Sequence, residues 1–282
     1  MTQQDSSPST RAPTPADRAH RYAREHGVSD GLYAVVRALA TVVLRFWFRL
    51  RVRGAEHVPA DGPVIVAANH KSFLDAFFIG LAIPRRVRFM GKAELFRGPL
   101  RWLFVRLGAF PVRRGEGDTE ALATARTVLE QGDVLVIFPE GTRVDEPDAL
   151  GSPHHGAGRL AVATGAPIVP AAIRGTSHLW LGPIPKPRRI DVGFQPAITV
   201  TGDEDPIDLI DRSVWPSVRE EYGRLSATPS LITAVLAALG FGGVVAARRR
   251  RPTRPRLLGV VQPRRLRRRA ARQRWLDRLL RR

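Results

Sequence analysis

The chain changes its hydrophobic period several times. From Gly31 to Arg53 it reads GLYAVVRALATVVLRFWFRLRVR. Arg37, Thr41, Arg45 and Arg49 recur every four residues, and at 100° per residue such positions drift only about 40° per step. They form one polar stripe on a helix whose remaining surface is Leu, Val, Phe and Trp. Arginine inside the run argues against a membrane span. A basic stripe beneath a broad apolar face carrying Trp47 suits a helix lying in a membrane interface over 31–53. A helix packed on a core is the alternative.

Beyond Pro63 short apolar runs alternate with helical patterns. Strands are predicted at Pro63–Asn69, Val87–Met90, Ala109–Arg113, Val134–Phe138, Ile168–Ile173 and Ile190–Phe194. Helices are predicted at Leu74–Ala82, Pro99–Leu107, Thr119–Gln131 and Gly156–Thr164, with Gly132 and Gly165 placed for left-handed caps. Val134–Phe138 is apolar throughout, as a strand covered on both faces must be. The alternation predicts an α/β domain over 54–226, with a mostly parallel central sheet flanked by helices. A late amphipathic helix is expected at Asp211–Gly223. Residues 1–30 are polar and read as a disordered leader running into a short helix near Ala16–His26. Leu231–Ala247 is a further apolar run, just short of a bilayer core as a helix, and it opens a helical or disordered basic extension over 227–282.

Charge is unevenly placed. The net charge is +19. Arg248 to Arg282 hold sixteen arginines and one acid, Asp277, a net +15, which leaves about +4 for everything before them. That tail reads as a patch for an anionic lipid surface. With one aromatic, Trp275, it has no stacking ladder for specific nucleic-acid recognition. The chain has no cysteine, so a disulfide framework, a Cys-ligated metal and a cysteine nucleophile are excluded. No secretory h-region is visible, and the core is expected on the cytoplasmic side.

Two constellations follow predicted strands, where open α/β sheets bind ligands. The first is Asn69-His70-Lys71-Ser72-Phe73-Leu74-Asp75. A histidine is the natural general base and a carboxylate can orient its ring, although five residues is the wrong spacing for one helix face and a loop-to-helix bend is required. A capped turn with incidental polar residues is the alternative. The second is Phe138-Pro139-Glu140-Gly141-Thr142-Arg143. Its guanidinium fork and turn amides suit a phosphate; an ordinary turn with a local Glu–Arg pair is the alternative.

NHKSFLD, GKAELF (Gly91–Phe96), GAFPVRR (Gly108–Arg114), FPEGTR and IVPAAI (Ile168–Ile173) occur in that order. The series resembles the glycerolipid acyltransferase family, specifically the bacterial 1-acyl-sn-glycerol-3-phosphate acyltransferases, over roughly Gly54 to Phe194. The resemblance implies His70 and Asp75 as catalytic residues. It implies Lys92, Arg113, Glu140, Gly141, Thr142 and Arg143 around the acceptor's phosphate, with Pro170 in a block assigned to acyl-chain or membrane-side packing. It also implies an α/β domain beside N-terminal membrane-associated helices. The reaction implied is acyl transfer from acyl-CoA or acyl carrier protein to a lysophospholipid at the cytoplasmic face of the membrane. Lysophosphatidic acid is the favoured acceptor, and glycerol 3-phosphate or another lysolipid the alternative. A non-catalytic lipid-binding protein on the same scaffold is the remaining rival. No cofactor and no metal is called for.

Two departures stand out. VDEPDALGSPHHG after Arg143 is acidic and Pro-rich, and its adjacent His154 and His155 diverge too much for a metal pair. The arginine-rich extension is also outside the family pattern. Other motifs fail. The one Gly-Lys pair, Gly91-Lys92, lacks the P-loop glycine because position 86 is Arg86. Gly156-Ala157-Gly158 follows no strand. No G-x-S-x-G elbow exists.

Overall fold

The computed structural model describes residues 12–113, 118–181 and 184–227. The apolar run at 231–247 and the arginine-rich tail lie outside them. In chain order the principal elements are α1 (Pro15–Glu25), α2 (Asp30–Phe48), β1 (Arg51–Arg53), β2 (Val64–Ala68), α3 (Asp75–Ala82), β3 (Val87–Lys92), α4 (Arg101–Arg106), β4 (Ala109–Val112), α5 (Thr119–Glu130), β5 (Val134–Ile137), α6 (Gly156–Thr164) and β6 (Ile168–Arg174). There follow a small hairpin of β7 (Trp180–Leu181) and β8 (Ile184–Pro185), then β9 (Asp191–Phe194), a helical turn α7 (Pro206–Asp208) and α8 (Trp215–Ala227).

Seven strands form one sheet in the order β1-β9-β6-β2-β5-β3-β4. The five from β6 to β4 are parallel, and β9 with β1 runs the other way. β2 sits centrally between β5 and β6, which leave it on opposite sides, so the sheet changes winding direction at its C-terminal end. The residues VIVAA of β2 are buried on both faces. Val64, Val66 and Ala68 join Phe78, Ile79, Leu44 and Phe48 on one side. Ile65 and Ala67 join Phe110, Leu129, Ile210 and Trp215 on the other. The period of two thus divides the core into two layers.

The short helix expected near Ala16–His26 is present as α1, so the disordered leader read over 1–30 does not extend through 12–30. Thr14 and Asp17 form a reciprocal capping box at the start of α1 with Pro15 in the first turn. His20 then packs its Nδ1 2.9 Å from Thr124 Oγ1 on α5. The other end of α1 is held by Arg88 of β3, a fully buried guanidinium. It donates to Ala23 O at 2.6 Å, Gly108 O at 3.3 Å and Asp133 Oδ2 at 3.0 Å. Ala23 lies in the last helical turn, where carbonyls lack intrahelical donors and a cation is favoured.

The helix expected over 31–53 ends at Phe48, because Arg49 turns left-handed (φ 45°) and Arg51–Arg53 add an edge strand beside β9. That pairing partner lies far along the chain, and local periodicity does not contain it. The polar stripe also begins by facing the protein. Arg37 donates to the carbonyls of Gly80, Leu81 and Ile83 at the end of α3. The outward face of α2 carries Val35, Leu39, Val42, Val43, Phe46 and Trp47, all exposed. The expected late helix begins at Pro206 and passes through a π-helical stretch, Leu209–Val214, before α8. Pro216, with no N–H to donate, sits where that stretch ends.

Replacing Arg88 by Met strands Asp133 and the last turn of α1. We expect a loss of about 3 kcal/mol in urea unfolding, with α1 the first segment cut in limited proteolysis.

Candidate active site

Four of the polar residues singled out above lie at the C-terminal ends of parallel strands: His70 after β2, Lys92 at the end of β3, Arg113 after β4 and Glu140 after β5. In the β2–β5 register Ala67 pairs with Ile137, so the residues three further on, His70 and Glu140, emerge side by side.

The bend that the His70–Asp75 spacing requires is present. Asp75 is the first residue of α3 and is fully buried. Its Oδ2 lies 3.0 Å from His70 Nδ1 and accepts the backbone N–H groups of Lys71 at 2.5 Å and Ser72 at 2.7 Å. Its Oδ1 is buried and makes no hydrogen bond among the described residues. A carboxylate that already accepts two N–H groups takes a proton donor at Nδ1, which leaves Nε2 with its lone pair. The ring stacks on Phe138, with centroids 4.2 Å apart and planes 19° from parallel. Upstream, the Asn69 side chain bonds Ile173 twice, donating from Nδ2 at 3.0 Å and accepting at Oδ1 at 2.8 Å. His70 is thus fixed from four directions: two chain neighbours, a carboxylate and an aromatic face. Asn69 and Phe138 were part of the quoted blocks, yet their roles become visible only when β2, β5 and β6 are side by side.

Glu140 needs correcting. A phosphate ligand should face the substrate, but this carboxylate points into the protein. Oε2 accepts the His70 N–H at 2.6 Å and Oε1 accepts the Gly151 N–H at 2.7 Å. An anion in that position holds backbone and would repel a phosphate. Burial pushes its carboxyl above the usual range, against the pull of those two N–H groups and of Lys71. Gly141 makes the turn with φ 64°, and a Cβ there would come 2.9 Å from the His154 ring. Thr142 and Arg143 are exposed. Lys71, beside the His70–Asp75 pair, is buried. Its Nζ donates to Glu146 O at 2.7 Å and to Ala149 O, and burial pushes its pKa below the ordinary value.

A cavity of about 350 Å³ adjoins the pair. Its walls are apolar: Tyr33, Val36 and Ala40 from α2, Phe73, Phe77 and Leu81 around α3, and Phe89, Phe96 and Phe104 opposite. His70, Lys92, Glu94 and Arg143 are its polar residues near the strand ends, and Arg37 is a further cationic wall residue. Lys92 lies 3.3 Å from Glu94, both well exposed. Solvent screens such an exposed pair and leaves the ammonium available. Arg113 is not a wall residue; it lies 3.6 Å from Asp118 and is largely exposed. Among the described residues no three His, Asp or Glu converge as metal ligands. His155 instead pairs with Asp211 at 3.2 Å.

Residues 49–174 match the family model named Acyltransferase. The chain is 33% identical over 140 residues to the 1-acyl-sn-glycerol-3-phosphate acyltransferase of Bacillus subtilis, which covers 48% of this chain and 68% of that one. This chain belongs to the glycerolipid acyltransferase family. It is also 28% identical over 149 residues to a chloroplastic 1-acyl-sn-glycerol-3-phosphate acyltransferase of Arabidopsis thaliana, covering 51% of this chain and 41% of that longer protein. The crystal structure of the lysophosphatidic acid acyltransferase PlsC from Thermotoga maritima superposes with a TM-score of 0.60. It is 26% identical, and the match covers 74% of this chain and 84% of that one. The acyltransferase is therefore an enzyme of this fold, with the His70–Asp75 pair inside the matched span.

Glu140→Gln separates the two roles considered for that residue. An amide offers one acceptor oxygen to two N–H groups, so we expect folding stability to fall by about 1–3 kcal/mol. A residue that only bound phosphate would leave the melting temperature unchanged.

Proposed function

We propose that this acyltransferase esterifies the free hydroxyl of 1-acylglycerol 3-phosphate with a fatty acyl group from acyl-CoA or acyl carrier protein, yielding phosphatidic acid for phospholipid synthesis. The observation that carries the reading is the oriented His70–Asp75 pair at the polar end of an apolar cavity whose wall is α2. An amphiphile with a phosphate, a hydroxyl and a long chain has the same division of character.

In this reading His70 Nε2 removes the hydroxyl proton as the alkoxide oxygen attacks the thioester carbonyl. Asp75 stabilises the imidazolium that forms. The tetrahedral intermediate then collapses and breaks the C–S bond. The departing thiolate takes the proton from His70, and both ring and carboxylate return to their starting state. Arg143 and Lys92 receive the phosphate, Arg143 as a fork and Lys92 as a point charge. Thr142 lies beside them on the turn, and Arg113 lies outside the cavity walls. The steps call for no metal and no cofactor.

Membrane placement follows from α2. At 19 residues and about 28 Å it is long and apolar enough to cross a bilayer. Yet Leu44 and Phe48 are buried and Arg37 is tied to α3, so one side is committed to the domain. The exposed side supports a helix laid in the interface on the cytoplasmic face, where both donors occur, with the cavity opening beside it. We expect Val42→Asp with Phe46→Asp to abolish sedimentation with uncharged phosphatidylcholine vesicles while leaving the fold intact by circular dichroism.

The reaction is tested by thioester-dependent acylation of 1-acylglycerol 3-phosphate in detergent. His70→Ala is expected to lose at least the ~10²–10⁴-fold typical of a general base. Activity surviving that substitution would overturn the mechanism. Acylation of glycerol 3-phosphate in preference to the lysolipid would move the acceptor to the runner-up.

A further inference from the structure

The loop from Gly141 to His155 begins with the end of the FPEGTR block, which brings Arg143 to the cavity, and continues through the acidic, Pro-rich stretch after Arg143 that departs from the family pattern. Its path is set by contacts from the segment that carries the base. The Val144 N–H donates to His70 O at 2.9 Å. Gly151 is held by Glu140, which also holds the His70 N–H. Between these two points the Lys71 ammonium meets the loop, donating to Glu146 O and Ala149 O. A third element closes around it. Tyr222 of α8 donates its hydroxyl to Pro147 O, and its ring lies 5.7 Å from Lys71 Nζ and 4.9 Å from the Arg174 guanidinium. Arg174 in turn pairs with Asp148 at 2.6 Å.

Lysine is among the residues least often buried without a partner. Here the partners are backbone carbonyls of a single loop. The backbone of the same residue, on the other side, donates to the Asp75 carboxylate. Lys71 thus touches the loop carrying the phosphate's cation through its side chain and the base's carboxylate through its main chain. We propose that Lys71 is a positioning residue for the acceptor's phosphomonoester. It ties the Arg143 loop to the His70 segment, so that phosphate and hydroxyl are held at a set separation from guanidinium and imidazole. The inference rests on the functional reading above and adds a residue to it. The thioester donor needs no such separation, so the effect falls on one substrate.

The experiment measures kcat and the KM of each substrate for the full chain in detergent, comparing wild type, Lys71→Met and Tyr222→Phe, with melting temperatures alongside. Lys71→Met keeps the length of the side chain and removes its charge-assisted hydrogen bonds. We expect the acceptor KM to rise about tenfold, the size of one such bond, while donor KM and kcat stay within about twofold. Tyr222→Phe should shift the acceptor KM in the same direction by less. An unchanged acceptor KM in Lys71→Met overturns the proposal. So does a parallel change in both KM values and kcat in a protein that melts as the wild type does. If Lys71→Met fails to fold, Tyr222→Phe decides: a selective rise in acceptor KM supports the tie, and none overturns it. A wild type that makes no phosphatidic acid overturns the functional reading, and this inference falls with it.

Discussion

One carboxylate oxygen organises the site. Asp75 Oδ2 gathers the backbone N–H groups of Lys71 and Ser72 and sits 3.0 Å from the His70 ring. The loop between β2 and α3 is in effect wrapped around that atom. Its position at the first turn of α3 places the negative charge where the helix N-terminus favours it. The same contact that fixes the loop also sets the imidazole tautomer and aims the free lone pair at the cavity. Loop conformation and ring orientation therefore draw on a single group, and a histidine five residues from an aspartate meets it despite being out of helical phase.

Around that group the buried charges are arranged in opposition. Asp75 and Glu140 are two carboxylates behind the ring, and Lys71 is an ammonium beside both. Each is satisfied mostly by backbone, which is how charges are tolerated where water is excluded. The exposed cations, Lys92 and Arg143, are left to the cavity. Charges that shape the backbone are inside, and charges that can meet a ligand are outside. Glu140 belongs to the first group, although its place in the FPEGTR block suggested the second.

Helix α2 is apolar on both sides, because Leu44 and Phe48 join the core while the outward face is apolar as well. Arg37 turns inward to cap α3, and the valines, Leu39, Phe46 and Trp47 turn outward. Such an arrangement is stable against water only where something apolar covers it. The cavity lies against the inner side of the same helix, so the surface that would contact lipid and the space that would hold an acyl chain share one wall.

The sequence by itself determined the parts that depend on local pattern. Apolar runs of strand length marked β2 to β6 and β9, and Gly132 and Gly165 marked helix ends, both with positive φ. The ordered blocks marked the family, and the His70–Asp75 pair with it. What tertiary structure decided were the roles that arise from strands meeting. Glu140 became a backbone acceptor because β5 lies in register beside β2. Asn69 became a clamp because β6 lies on the other side. β1 exists only against β9, and Lys71 reaches a loop some 75 residues on. The orientation of α2 was open because a periodic stripe records which residues share a face, while the neighbour that buries that face is supplied by the rest of the fold.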